Sequence, residues 1–286
     1  MAVGRSRKIK NEMITMERDK EVQLEQLLAQ AFEEPAYRAQ FIEELLQSDI
    51  YIPGQTTREA AKTNRQFVLE QAESIQVKSW PNEEYGQVIP FFSSLEKMRL
   101  VFGAEENYLQ FSCKVFFETT LGSLLVLNPE SPIQKIFYPE EVGDILKGGE
   151  HATEAYEIQE DTEILIGQPN EMPAFMLDQL AKLLEQYPEV GAAYFAQIQK
   201  STPELMLSYI IALRFSDVLE TDKINKLHQH ISQVALDSME EKQTIDLLHI
   251  DEQKPEGLYA YFLNETTPFY VKLEQKKKGF FAKLFS

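Results

Sequence analysis

Residues 88–96 have the sequence Val88-Ile89-Pro90-Phe91-Phe92-Ser93-Ser94-Leu95-Glu96, in which a short apolar run passes directly into a helix start. The apolar run predicts a strand. The Ser-x-x-Glu pattern predicts a capping box, in which the serine and glutamate side chains satisfy free backbone donors of the first helical turn. Leu95, Met98 and Phe102 then recur on one side of the helix. The chain is therefore expected to enter a helix with a buried face directly from a buried strand.

The next segments predict a second sheet element and a second helix. Leu124-Leu125-Val126-Leu127 predicts a buried strand that Asn128-Pro129 stops, and residues 133–138 predict another strand. Pro139-Glu140-Glu141 predicts a helix start, because proline suits the first helical position and the carboxylates lie at the positive end of the helix dipole.

A pair of amphipathic helices precedes this unit and predicts a helical hairpin. The first is marked by Leu24, Leu27, Leu28 and Phe32, and the second begins near Pro35 and is marked by Tyr37, Phe41 and Leu45. Residues 49–52 and 75–80 then predict strands, separated by a polar surface insertion over 55–73.

The second half shows the same alternation of strands and helices. Strands are predicted over 164–166, 192–198, 205–213 and 244–250, and helices from Pro173 and over 222–239. The nearly continuous apolar run over 205–213 is typical of a central strand that is covered on both faces. The whole chain is therefore predicted to be α+β, with two domains that each pack helices on a small mixed sheet.

Composition shifts give the domain boundaries. The predicted organisation is a basic disordered leader over 1–19, an N-terminal domain over 20–147, an acidic linker over 148–162, a C-terminal domain over 163–272 and a basic hydrophobic tail over 273–286. The start of the chain lacks the apolar core of an export signal and no run of 18 apolar residues occurs, so a cytoplasmic protein is expected.

The charge distribution argues against nucleic-acid binding. The net charge is −18, and eight of the 28 basic residues lie in the leader and the tail. The remaining 20 basic residues face 46 acidic ones, so the body is strongly acidic and repels phosphate backbones. Such acidity also serves simply to keep a protein soluble.

Several short motifs, in order along both halves, resemble the serine-sensitivity-enhancing protein family, SseB. In the first half they are the phenylalanine strand leading into Ser93-Ser94-Leu95-Glu96, Leu127-Asn128-Pro129 and Tyr138-Pro139-Glu140-Glu141-Val142. In the second half they are Ile166-Gly167-Gln168-Pro169, Tyr187-Pro188-Glu189-Val190 with Ala192-Ala193-Tyr194, and Thr267-Pro268-Phe269-Tyr270. The resemblance implies a bacterial protein whose raised dosage sensitises cells to serine. It brings no reaction and no catalytic residues.

The family's link to serine and sulfur metabolism raises the hypothesis of a sulfurtransferase, for which Cys113 is the sole cysteine. The surrounding sequence Phe111-Ser112-Cys113-Lys114-Val115-Phe116-Phe117 has no glycine or arginine to build an anion-binding loop, so a low thiol pKa is not expected. We interpret Cys113 as structural.

The histidines do not predict a metal site. His228 and His230 lie two residues apart on a predicted helix and point to nearly opposite sides, so they cannot chelate one ion there. His228 is expected beside the buried stripe of its helix, and His249 on one face of a strand with Ile245 and Leu247. His151 falls in the linker.

The carboxylates and the glycines predict no catalytic or cofactor site. Glu140-Glu141 and Glu240-Glu241 fit solvated helix ends, and the chain has no Gly-x-Gly-x-x-Gly, phosphate loop or Gly-x-Ser-x-Gly elbow. No catalytic, cofactor-binding or metal-binding residue is therefore predicted.

The tail is the one segment predicted to bind a partner. Phe280, Phe281, Leu284 and Phe285 would form one apolar stripe on a helix, although the same stripe would also suit packing on the protein's own core. Membrane contact is expected to be weak at most, because the acidic body opposes approach to an anionic bilayer. The predicted partner-binding residues are Lys276, Lys277, Lys278, Phe280, Phe281, Lys283, Leu284 and Phe285.

These observations favour a non-catalytic cytoplasmic protein that binds protein partners or a small metabolite. The alternative is an enzyme of amino-acid or sulfur metabolism, which would require a pocket with converging polar groups that the sequence does not reveal.

Overall fold

The computed structural model describes residues 2–56, 75–148, 164–201, 205–241, 243–254 and 256–273. The chain divides into two compact units, residues 1–151 and 152–286. Both combine helices with sheets, and each unit contains a sheet with parallel and antiparallel strand pairs, which confirms the predicted α+β class. The polar insertion over 55–73, the acidic linker over 148–162 and the tail lie wholly or largely outside the described residues.

The first unit contains five helices and seven strands among its described residues. The helices are α1 (Ala2–Glu33), α2 (Arg38–Gln47, after a 3₁₀ turn at Pro35–Tyr37), α3 (Leu95–Phe102), α4 (Cys113–Thr119) and α5 (Pro139–Leu146). The strands are β1 (Asp49–Thr56), β2 (Ile75–Val77), β3 (Trp80–Asn82), β4 (Gly86–Phe91), β5 (Tyr108–Ser112), β6 (Leu125–Leu127) and β7 (Lys135–Phe137).

Two sheets make up this unit. The antiparallel sheet has the order β2-β1-β5, and the mixed sheet has the order β3-β4-β6-β7, in which β4 and β6 are parallel. Tyr51 and Phe92 exchange two backbone hydrogen bonds of 2.9 Å and so join the sheets. A cluster of phenylalanines lies in the hydrophobic core of this unit. Phe91, Phe117 and Phe137 are fully buried, and their ring centroids are 5.3 to 5.9 Å apart.

The predicted helical hairpin is present as α1 and α2, but two details of it differ. Phe32 is 62% exposed, and Ala31 takes the buried position together with Leu24, Leu27 and Leu28. The leader over 1–19 was predicted to be disordered, whereas residues 2–33 form one continuous helix. No proline or glycine interrupts the chain between Arg5 and Glu33, so nothing stops the helix from extending toward the N-terminus.

The second unit is built on one five-stranded sheet. Its strands are β8 (Ile164–Gly167), β9 (Val190–Ser201), β10 (Leu205–Phe215), β11 (Thr244–His249) and β12 (Tyr270–Val271), and its helices are α6 (Ala174–Leu184), α7 (Thr221–Ser238) and α8 (Leu258–Asn264). The central strand β10 lies between the antiparallel β9 and the parallel β11, as the continuous apolar run predicted. The two helices α6 and α7 each bury an apolar face, which includes Met176 and Leu180 of α6 and Leu227 and Ile231 of α7.

Helices cover both faces of this sheet. Phe262 of α8 packs with Tyr194 and Ile198 on one face. On the other face, Tyr270 donates a hydrogen bond from its hydroxyl to the Leu184 carbonyl at the end of α6. The helix α8 and the strand β12 were absent from the sequence predictions.

A break along the edge of β9 is closed by a side chain. Strand β12 pairs with β9 at Ala192 and Ala193, and β8 pairs from Gln197 onward, which leaves the backbone between them without a partner strand. Gln168 donates a hydrogen bond from Nε2 to the Phe195 carbonyl in this interval, at 2.9 Å. The glutamine of the Gly167-Gln168-Pro169 motif therefore replaces a missing ladder hydrogen bond.

Candidate functional site

A buried polar cluster lies where the parallel strands β4 and β6 end. The register pairs Ile89 with Leu125 and Phe91 with Leu127, so both strands finish at the same edge of the sheet. Ligands of open α/β sheets bind outside the carboxyl ends of parallel strands, which makes this edge the first place to look for a site. Ser93 and Asn128 follow these strand ends and are almost completely inaccessible to solvent.

Asn128, which follows β6, is hydrogen-bonded to the segment that follows β4. Its backbone N–H donates to the Phe91 carbonyl at 2.9 Å, and its φ of 52° lies in the left-handed region that asparagine tolerates better than most residues. Its side-chain Oδ1 accepts a hydrogen bond from the Ser93 backbone N–H at 2.9 Å, and its Nδ2 donates to the Ser93 hydroxyl at 2.9 Å. The residue predicted only to stop a strand thus fixes the turn into α3.

A carboxylate from α1 completes the cluster. Oε1 of Glu25 accepts hydrogen bonds from the hydroxyls of Ser93 at 2.9 Å and Ser94 at 3.1 Å. Lys97 Nζ lies 3.8 Å from the other carboxylate oxygen. A negative charge here is favoured by the positive end of the α3 dipole as well as by the ammonium group.

The predicted capping residue is off by one position. Ser94, rather than Ser93, has the extended backbone of the N-cap, and its hydroxyl accepts a hydrogen bond from the Lys97 backbone N–H at 3.4 Å. Glu96 therefore falls one position short of closing a capping box with it. Ser93 is left free to bind Asn128 and Glu25, because the helix begins at Leu95, one residue later than the pattern implied.

The serine hydroxyls of this cluster bind the Glu25 carboxylate. The two hydroxyls donate to Glu25, and their contacts include no histidine that would take a proton from either oxygen. With Ser93 1% exposed and Ser94 6% exposed, neither oxygen is open to a substrate. The arrangement therefore connects α1 to the strand ends and has no activated nucleophile.

Cys113, the only cysteine, is fully buried as the first residue of α4. Its backbone N–H donates to the Ser48 carbonyl at 2.9 Å, and its side chain belongs to the same core as Phe116 and Phe117. Burial raises the pKa of the thiol far above its ordinary value, so the group stays protonated and unreactive. The structural interpretation of Cys113 agrees with this position.

The histidines of α7 point to different partners, as their spacing predicted. His230 Nδ1 lies 2.6 Å from the Tyr187 hydroxyl, whereas His228 Nε2 lies 2.7 Å from Nε2 of His249 on β11. The contact between His228 and His249 was missed, because their separation of 21 residues leaves no local pattern. His151 lies outside the described residues. Within the described ranges, no three side chains of His, Cys, Asp or Glu are grouped as metal ligands.

The remaining sequence candidates are located as follows. Glu140 and Glu141 occupy the first turn of α5, where Glu141 forms an ion pair with Lys135 at 2.7 Å. Glu240 and Glu241 are exposed just after α7. The partner-binding residues predicted in the tail, from Lys276 to Phe285, lie outside the described residues. None of the helices in the described part of the chain is long and apolar enough to cross a membrane.

The fold and the cluster define a class: a protein of two α+β units in which, at the one candidate site described, the first unit holds its own carboxylate at the ends of two parallel strands. Comparison with known protein families shows which family this chain matches. The SseB protein N-terminal domain matches residues 24–144, and the SseB protein C-terminal domain matches residues 158–272. The chain belongs to the SseB family, as its motifs suggested.

Individual relatives agree with the family match. The chain is 30% identical over 264 residues to "Protein SseB" of Escherichia coli (strain K12), covering 90% of this chain and 94% of that protein. The same identity and coverage hold for "Protein SseB" of Shigella flexneri. No solved structure matches this chain significantly.

Proposed function

We propose that this protein is a non-catalytic cytoplasmic binding or regulatory protein that influences serine sensitivity through protein partners or a small metabolite. The proposal is supported by the burial and the hydrogen bonding of the potentially nucleophilic side chains Cys113, Ser93 and Ser94. The thiol of Cys113 is buried, and the hydroxyls of Ser93 and Ser94 are committed to a carboxylate of the same chain. A protein whose reactive groups maintain its own fold acts most simply by binding.

Charge distribution supports a protein partner over a nucleic acid. The acidic body repels phosphate, while the tail combines Lys276, Lys277 and Lys278 with an apolar stripe after Gly279. Such a segment suits a groove that accepts an apolar helix face and carries an acidic rim. The tail is therefore the proposed partner-binding element.

The serine phenotype provides the direct test. The chain is expressed at raised dosage in a bacterial host, and growth is measured over a range of serine concentrations for the native chain, Cys113→Ser and Phe280→Ala/Phe281→Ala at matched protein levels. We expect the cysteine variant to sensitise cells like the native chain and the double phenylalanine variant to lose the effect.

The opposite pattern would favour the alternative function, an enzyme of amino-acid or sulfur metabolism. Loss of sensitisation by Cys113→Ser at an unchanged protein level would contradict the structural role of the thiol. Thermal-shift screening against amino acids and sulfur metabolites would then identify the substrate class.

A further inference from the structure

Two histidines from different elements meet head-on in the second unit. His228 lies on α7 and His249 ends β11, and their Nε2 atoms are 2.7 Å apart. The ring centroids are 4.9 Å apart, so each nitrogen lies almost on the line that joins the two rings. This is the geometry of a single N–H···N hydrogen bond, in which the two lone-pair directions oppose each other instead of converging on a common metal ion.

The hydrogen bond requires opposite tautomers. A neutral imidazole carries one N–H, so one ring must donate from Nε2 while the other accepts there and keeps its proton on Nδ1. One added proton converts the donor to an imidazolium, which still donates. A second proton places N–H groups on both facing nitrogens, and the hydrogen bond is lost to repulsion.

The surroundings of the pair are apolar and contribute little charge. The Phe215 ring contacts the His249 ring with centroids 4.9 Å apart, and Leu213 is its neighbour across the parallel strands. One helical turn from His228 stand Ile224 and Ile231. Several charged groups on the surrounding elements and on β11 itself have partners elsewhere: Asp178 with Lys182, Glu189 with Lys223, Arg214 with Glu252, Asp251 with Lys254, and Asp246 with Ser208.

Burial of the pair opposes protonation. Burial, followed by the charge of His249, lowers the pKa of His228 to about 4, and burial also lowers the pKa of His249. Both values lie below the ordinary value in an unfolded chain. The pair therefore contributes stability that is complete above the ordinary histidine pKa and is lost as the pH falls through the folded-state values.

We infer that His228 and His249 form a proton-sensitive contact that holds α7 against the end of β11 and opens when both imidazoles are protonated. The contact acts within the second unit and is independent of the partner binding proposed for the tail. It would make the attachment of α7 responsive to acidification.

Hydrogen exchange measured by mass spectrometry on the full chain tests this contact. Between about pH 7 and about pH 4.5, the opening equilibrium of α7 and β11 should rise on the order of tenfold to a hundredfold after correction for intrinsic exchange. The variant His228→Gln/His249→Gln should show little pH dependence there. The matched control His230→Gln, two residues away on the opposite side of α7, should respond like the native chain. An equal response in the double variant, or none in the native chain, would overturn the inference.

A second measurement decides the question even where the double variant does not fold. Side-chain ¹⁵N resonances of the histidines in the native chain should show opposite tautomers for His228 and His249 near neutral pH. Both should titrate below the ordinary histidine value. Identical tautomers, or titration of both at the ordinary value, would show that the head-on hydrogen bond does not exist in solution.

Discussion

The Glu25 carboxylate accepts a hydrogen bond from the Ser93 hydroxyl at 2.9 Å, across 68 residues of chain. This contact connects α1 to the exact edge of the sheet at which β4 and β6 end. It also engages Ser94, the N-cap of α3, so one carboxylate determines how three elements meet.

Replacing Glu25 by alanine should destabilise the first unit. The Ser94 hydroxyl would lose its carboxylate acceptor and the Ser93 hydroxyl would keep only Asn128 Oδ1, at 3.2 Å, so we expect a cost of about 1–3 kcal/mol in the free energy of unfolding. Chemical denaturation followed by tryptophan fluorescence is a suitable measurement, because the sole tryptophan, Trp80, contacts Phe102 of α3 with ring centroids 5.4 Å apart. Glu105→Ala, at an exposed site in the same unit, serves as the control and should change stability by less than about 0.5 kcal/mol.

Asn128 should be more sensitive than its small size suggests, and two substitutions separate the reasons. Asn128→Ala leaves the buried Ser93 N–H without an acceptor and also places a β-carbon at positive φ, so we expect a loss of about 2–4 kcal/mol. Asn128→Gly removes the same hydrogen bonds but relieves the backbone, and should recover about 1 kcal/mol of that loss. Equal stabilities for the two variants, measured by denaturant unfolding, would show that backbone conformation is not part of the asparagine's role.

Gln168 is predicted to stabilise the second unit through the hydrogen bond that its Nε2 donates. Gln168→Glu keeps the shape of the side chain but cannot donate to the Phe195 carbonyl, so the second unit should lose about 1–2 kcal/mol of stability. Gln253→Glu, at an exposed position in the same unit, is the control. Differential scanning calorimetry would measure the loss, and an unchanged transition in Gln168→Glu would mean that water replaces the glutamine at the break in β9.

The thiol of Cys113 should be inert in the native protein. Because burial keeps the thiol protonated, a disulfide reagent should react only as fast as the first unit opens, and at the ordinary rate in denaturant. Fast modification of the native chain at neutral pH would contradict both the burial and the structural role of Cys113.

Removing Lys276 to Ser286 should leave folding nearly intact if the tail is a binding element. The melting temperature should then change by less than about 2 °C, which is below the effect of 1 kcal/mol in a domain of this size. A larger loss would show that Phe280 and its neighbours pack on the body of the protein.

Periodic burial was the part of this structure that the sequence could predict. The buried stripe of α6, the central position of β10 and the proline start of α5 follow from local patterns over fewer than a dozen residues. Ser93, Asn128 and Glu25 could not be assembled in this way, because their hydrogen bonds join positions 35 and 68 residues apart. The contact of His228 with His249 was missed for the same reason. The sequence showed only the two-residue spacing between His228 and His230.

Two predictions about α1 were wrong. Phe32 was assigned to the buried face because it lies four residues after Leu28, but Phe32 is exposed and Ala31 is buried instead. The basic leader was predicted to be disordered, whereas residues 2–19 lie within α1 and no proline or glycine occurs between Arg5 and Glu33.

Partner recovery from native bacterial cytosol tests the central claim, that this protein acts by binding through its tail. Quantitative mass spectrometry would compare the full-length chain, the chain ending at Gln275 and Phe280→Ala/Phe281→Ala. At least one protein should be recovered reproducibly with the full-length chain and lost with both variants. Indistinguishable recoveries from all three would contradict the claim.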